Sequence, residues 1–149
     1  MITPLILNDG ITNFLAEETK DLRFKHKTHD GIVYKPPSVV TGHILPSFEE
    51  QDDMSDYPYI SVMVDNIKQK DDGLFSTVNI LIEFGIYEVG TFTKSGELIR
   101  DSSGYRDILN LIEFTRQRLF ELKTIDNKYR LESNFFEAGM YSEQFYPLW

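Results

Sequence analysis

Thr77-Val78-Asn79-Ile80-Leu81-Ile82-Glu83-Phe84-Gly85-Ile86-Tyr87 is the stretch that decides the fold, together with the segment it leads into, ending at Leu122. Val78, Ile80, Ile82, Phe84 and Ile86 recur at strict period 2, which predicts a strand with one face on a core. Thr77, Asn79, Glu83 and Tyr87 point the other way and are expected to be wet. After a polar connection, residues 90–104, the period changes to that of a helix. Ile108, Leu111, Ile112, Thr115, Leu119 and Leu122 make one stripe of an amphipathic helix over 105–122, with Glu113 and Gln117 on its wet side. Asp101, Ser102 or Ser103 supplies the cap, and Arg116, Arg118 and Lys123 load the C-terminal half as the helix dipole favours.

Upstream, Tyr59 to Val64 alternates in the same manner: Ile60, Val62 and Val64 share one face, and Tyr59, Ser61 and Met63 the other. Asp71-Asp72-Gly73 lies between this run and the long return strand, 74–88, and an Asp-Gly pair between two β-rich runs is a hairpin signal. Before the hairpin, Asn8 or Asp9 is the candidate cap of a first helix carrying Ile11, Phe14, Leu15 and Leu22, fading by Phe24 to His26. His29-Asp30-Gly31 reads as a turn before Ile32-Val33-Tyr34. Ser38 to Leu45 reads as extended, with a bend or bulge at Gly42. Glu97 to Ile99 is a candidate short strand. Tyr129 to Phe136 alternates as a strand, and Met140 to Tyr146 as a last extended piece. The order helix, strands, helix, strand predicts an α+β fold: an antiparallel or mixed sheet containing a long hairpin, with two main helices packed on one face. At 149 residues, 41% of them apolar, the chain is long enough for one domain with a real core.

Composition excludes several chemistries. With no cysteine there is no disulfide, thiolate nucleophile or sulfur-ligated zinc. Fifteen cations against 24 carboxylates, a net charge of −9, argue against a protein whose task is gripping phosphate backbones. An acidic surface suits ordinary solubility, and equally a surface that DNA slides past. No run approaches the ~18 apolar residues of a membrane helix. The apolar N-terminus, Met1 to Leu7, lacks the basic start of a signal peptide, so a cytoplasmic protein is the default expectation.

No catalytic, cofactor or metal site is expected. His26 and His29 with Asp30 lack a third strong ligand. His43 stands alone on a predicted strand. The acidic run Glu49, Glu50, Asp52, Asp53 and Asp56 lacks the oxygen spacing of a calcium loop and reads as a solvated loop able to order on a partner. Ser102-Ser103-Gly104 has neither the lysine nor the glycines of a phosphate loop, and helix capping explains it. Glu83, beside Tyr87, would do acid–base work only if buried, and a cross-strand ion pair is its ordinary fate. The aromatic tail, Tyr129, Phe135, Phe136, Tyr141, Phe145, Tyr146 and Trp149, is either core filling or a subunit interface, where aromatics are enriched.

Taken in order, these pieces resemble the tail-terminator, or tail-completion, proteins of long-tailed bacteriophages and prophages. The resemblance is carried by the early helix, the Tyr57-Pro58-Tyr59-Ile60 strand entry, the return strand Ser76 to Phe84, Gly104-Tyr105-Arg106-Asp107-Ile108 opening a single long helix, and the closing segment Gln144 to Trp149. It implies a non-enzymatic structural subunit in the virion tail or neck, assembled in the host cytoplasm. Such subunits close into a ring, commonly a hexamer, that caps the tail tube and meets the head connector. DNA passes nearby without specific binding, and neither cofactor nor membrane is involved. Thr77, Asn79, Glu83, Tyr87, Tyr59, Phe145, Tyr146 and Trp149 are then the candidate interface residues. The alternatives are another head–tail or minor tail assembly protein, a cytoplasmic binding module with a pocket lined by Tyr59, Tyr87 and Phe92, and an enzyme built on Glu83 or His43.

Overall fold

The computed structural model of the chain describes residues 4–42, 57–69, 73, 76–132, 136–140 and 148–149. Helix α1 (Pro4–Thr19) leads into a two-stranded hairpin, β1 (Phe24–Thr28) with β2 (Gly31–Lys35). A three-stranded mixed sheet follows, formed by β3 (Ser38–Thr41), β4 (Tyr59–Gln69) and β5 (Ser76–Gly85) in that order, β3 parallel and β5 antiparallel to β4. The chain continues through a short hairpin, β6 (Thr91–Phe92) with β7 (Leu98–Ile99), into helix α2 (Ser103–Leu122). A second short hairpin, β8 (Thr124–Ile125) with β9 (Tyr129–Arg130), follows it. The fold is α+β, with a mixed sheet and a long hairpin.

The core lies on one face of this sheet. Antiparallel register pairs Ile60 with Phe84, Val62 with Ile82 and Val64 with Ile80, so these side chains share a face. Leu7, Ile11 and Leu15 of α1 and Ile108 and Leu111 of α2 complete the same buried cluster, so both helices sit on that face. Leu7, Ile11 and Leu15 are spaced four apart, a single helical stripe. On α2, Ile108, Leu111, Thr115 and Leu119 are buried and Ile112 and Leu122 pack on the core, as the periodicity requires.

Register breaks once along the ribbon: Val64 faces Ile80 but Asn66 faces Asn79, so Asp65 is an extra residue, a β-bulge. Burial decays along the same ribbon. Tyr59 to Val62 are buried and Asp65 to Gln69 are exposed, whereas Val78 and Ile80 across the ribbon on β5 stay half-buried against the core.

Several sequence expectations are corrected. The first helix does not start at Asn8 or Asp9 but at Pro4, whose fixed φ suits the first turn. Asn8 is buried inside the helix, where its Nδ2 donates to the carbonyl of Val62 at 3.1 Å, tying helix to sheet. The helix also stops at Thr19, and Phe24 to His26, expected at its fading end, belong to β1. There the backbone gains cross-strand partners from Val33 to Lys35 that a frayed helix end lacks. Of the segment expected to be extended after the prolines, Ser38–Thr41 is a strand and Gly42 at φ +93 makes the expected bend, while 43–45 lie outside the described residues. The return strand ends at Gly85, and of the predicted tail strand Tyr129 and Arg130 form β9. His43, the acidic run 49–56, Asp71, Asp72, Phe135 and 141–147 lie outside the described residues.

Candidate functional site

The expected wet face of β5 divides into two parts. Near the sheet's base it is not wet: Glu83 retains 7% of its exposure, and Tyr87 and Tyr59 are equally buried. Glu83 lies opposite Ser61, itself fully buried, and Tyr59 lies opposite Gly85. Tyr57, Tyr59, Tyr87 and Val89 form a second apolar cluster, with Leu148 packed on it. The rings of Tyr57 and Tyr59 meet edge to face, centroids 5.1 Å apart. Gly85 makes this possible, since a Cβ there would lie 2.3 Å from Tyr59 Cε1 and 2.8 Å from Tyr57 Cε1. Period 2 therefore assigned the faces correctly, but the second face is also covered at this end. Glu83, Tyr87 and Tyr59 are removed from the candidate interface.

The outer half of the ribbon differs. Asn79, opposite Asn66, is exposed, Thr77 is half-buried opposite Lys68, and Leu81 is 41% exposed. Of the expected interface residues, Thr77 and Asn79 remain on accessible ribbon. Ile67, opposite the half-buried Val78, is 55% exposed.

Trp149, half-buried, closes the base. Its backbone exchanges hydrogen bonds with Ile86, Ile86 N–H to Trp149 O at 2.8 Å and Trp149 N–H to Ile86 O at 3.0 Å. Its indole Nε1–H donates to Glu88 O at 3.3 Å, and the ring lies flush on Gly104, where a Cβ would meet the indole at 2.1 Å. For this aromatic, of the two sequence readings, core filling is the one observed. Phe145 and Tyr146 lie outside the described residues.

A charged network missed by sequence reasoning lies beside it. Lys25 Nζ of β1 is paired with Glu88 and donates to Gly90 O at 2.8 Å, while Gly90 N–H donates to Glu88 Oε1 at 2.9 Å. Both side chains are largely buried, and residues so far apart in sequence leave no local signal. Asp101, ahead of α2, accepts the Ser103 N–H at 2.9 Å and the Thr91 hydroxyl at 2.5 Å. Ser103 first and Thr91 second hold its carboxyl down at about 2. The capping expectation is thus met by Asp101, not by a Ser102 hydroxyl. Asp107 on α2 has its pKa raised, by burial first and by the Glu88 charge next.

His26 Nδ1 lies 2.7 Å from Tyr57 O, and among the described residues no three His, Cys, Asp or Glu side chains gather as a metal site. Tyr59 and Tyr87 are buried together, whereas Phe92 stands exposed on the β6–β7 hairpin. An apolar cleft of about 190 Å3 lies between Leu22, Phe24, Asp107, Asn110, Leu111 and Phe114. That is below the ~300–1,000 Å3 typical of small-molecule sites. Among the described residues no helix is long and apolar enough to cross a membrane. No protein-family model, curated protein or solved structure matches the chain.

Proposed function

We propose that this chain is a ring-forming structural subunit of a long-tailed phage or prophage. It works as a tail terminator that caps the tail tube and joins it to the head connector in the virion. The observation that carries the reading is the β4–β5 ribbon, anchored at Tyr59–Val62 and solvent-exposed over Asp65–Gln69. Eleven residues of strand span about 35 Å, and the last five of them are exposed. A two-stranded ribbon alone in water is marginally stable, and a neighbouring subunit is the natural surface to support it. A ring needs two different patches on each subunit, and the exposed end of the ribbon supplies one of them. The order of helix, long hairpin, single long helix and closing segment accords with this function, and the net charge of −9 suits a lumen that DNA traverses without sticking. In this reading the working parts are surfaces, and no group acts as a catalyst.

Binding to isolated tail tubes tests the proposal. Purified tubes mixed with the chain should carry it at one end in negative-stain images and retain it through sedimentation. A chain that remains monomeric and also fails to bind tubes overturns it.

A further inference from the structure

Half of the large apolar side chains that stand exposed among the described residues lie on two short hairpins: Ile32, Val33 and Tyr34 on β1–β2, and Phe92, Leu98 and Ile99 on β6–β7. Cross-strand pairing puts Tyr34 beside Lys25 and Ile32 beside Lys27. The two pairs are two residues apart along each strand, so all four side chains share one face of the hairpin. From that face Lys25 reaches Glu88 and donates to the carbonyl of Gly90, the residue before β6, at 2.8 Å. The face bearing Ile32 and Tyr34 is thereby turned toward the root of β6–β7, on which Phe92 pairs with Leu98. Tyr34 is 63% exposed and Phe92 51%, in each case the most exposed apolar residue of its hairpin. Apolar side chains gathered on a surface in this way mark an interaction site.

Charge separates along the same line. Residues 23–35 and 88–100 hold six of the chain's 15 cations and three of its 24 carboxylates, a net +3, which leaves nine cations against 21 carboxylates, −12, elsewhere. Lys25 is engaged by Glu88, whereas Lys27 and Lys94 are exposed and form no ion pair among the described residues.

We propose that the two hairpins form one docking face for a partner protein, and that the segment docked there is rich in carboxylates and apolar side chains. Its apolar residues lie against Tyr34, Ile32, Phe92 and Leu98, and its carboxylates meet Lys27 and Lys94 at the rim, where charge selects the partner. The same charges disfavour the other occupants. Nucleic acid and anionic lipid carry extended arrays of phosphate, which the −12 of the remaining chain repels. A short peptide segment feels mainly the hairpins, within a Debye length of about 8 Å at physiological salt. Isoleucine and leucine also give nothing to a phosphate backbone, which binds cations. The same face of a second copy would oppose like charges. The inference goes beyond the ring reading and does not depend on it.

The probe is a short synthetic peptide of alternating glutamate and leucine, labelled for fluorescence anisotropy and titrated with the full chain. It should bind saturably, and more weakly as salt rises. Peptides with lysine in place of glutamate, or serine in place of leucine, should bind weaker by about tenfold or more. Lys27→Glu with Lys94→Glu, and separately Tyr34→Ser with Phe92→Ser, should each weaken the glutamate–leucine peptide by a similar factor. All four side chains are exposed, so the melting temperature should hold. Ile67→Ser, at an exposed position on the ribbon, is the control and should leave binding unchanged. No saturable binding up to roughly millimolar chain overturns the proposal, as does equal binding of the lysine peptide or binding that both double variants leave intact. Phosphatidylserine vesicles or single-stranded DNA bound more tightly than the peptide, and lost in the same variants, overturn it in favour of those partners. Self-association that the variants abolish overturns it in favour of a second copy.

Discussion

Replacing Gly85 by alanine adds one methyl group at the base of the ribbon. Its Cβ would lie 2.3 Å from Tyr59 Cε1, 2.7 Å from Tyr59 Cζ and 2.8 Å from Tyr57 Cε1, distances at which something must move. Both rings are buried and pack edge to face, so neither can swing aside without opening the second cluster. Overpacking of this kind costs about 1–3 kcal/mol. It is opposed by the ~0.4–1 kcal/mol that Gly→Ala contributes through a less flexible unfolded chain. We expect a net loss of about 1–2 kcal/mol, which for a chain of this length lowers the melting temperature by roughly 2–8 °C. Urea unfolding followed by far-UV circular dichroism measures it, with near-UV tyrosine signals reporting the rings. Gly139→Ala is the control, because a Cβ there meets nothing within 4 Å, and it should be neutral or slightly stabilising. If Gly85→Ala unfolds at the same urea concentration as the parent or later, the second face is not packed as described. Glu83 and Tyr87 would then return to the candidate interface.

Lys25→Met leaves Glu88 largely buried without its cation, and equilibrium unfolding should show a loss of about 3 kcal/mol. Adding Glu88→Gln should recover part of it in a double-mutant cycle. The Asp101 carboxyl, held at about 2 against an ordinary 3.8, contributes stability that is complete above the ordinary value and is lost as pH falls from 3.8 toward 2. The melting-temperature gap between the parent and Asp101→Asn should therefore be flat near neutrality and close across that window. Asp107 has the opposite sign: its raised pKa means the folded state penalises the charged form. Asp107→Asn should raise the melting temperature at pH 7, with the gain vanishing once pH falls below the ordinary carboxylate value.

Where one face was decisive, sequence and structure agree. Val78 to Phe84 and the stripe from Ile108 to Leu122 were legible because helices and strands that bury one side must repeat at their own period. The hairpin was legible from Asp72-Gly73 between two alternating runs. Glu83 and Tyr87 were misread because alternation separates two faces without saying that the second is also covered. That cover comes from Tyr57, Tyr59 and Leu148, which only the folded chain brings together. Asn8 carried the signature of a cap, yet its amide reaches Val62 on a strand 54 residues away. Lys25 falls in the stretch expected at the fading end of the first helix, whereas its partner Glu88 becomes a neighbour only through β1. Trp149 could be narrowed to core or interface, and its place against Gly104 follows from the Ile86 pairing.

The central claim is that copies of this chain close into a ring that sits on a tail tube. Electron microscopy of purified tail tubes with and without the chain, with ultracentrifugation of the chain itself, measures it most directly. The claim predicts a ring-shaped cap at one tube end and a discrete closed assembly. Bare tube ends, together with a single monomeric species at every concentration tried, would contradict it.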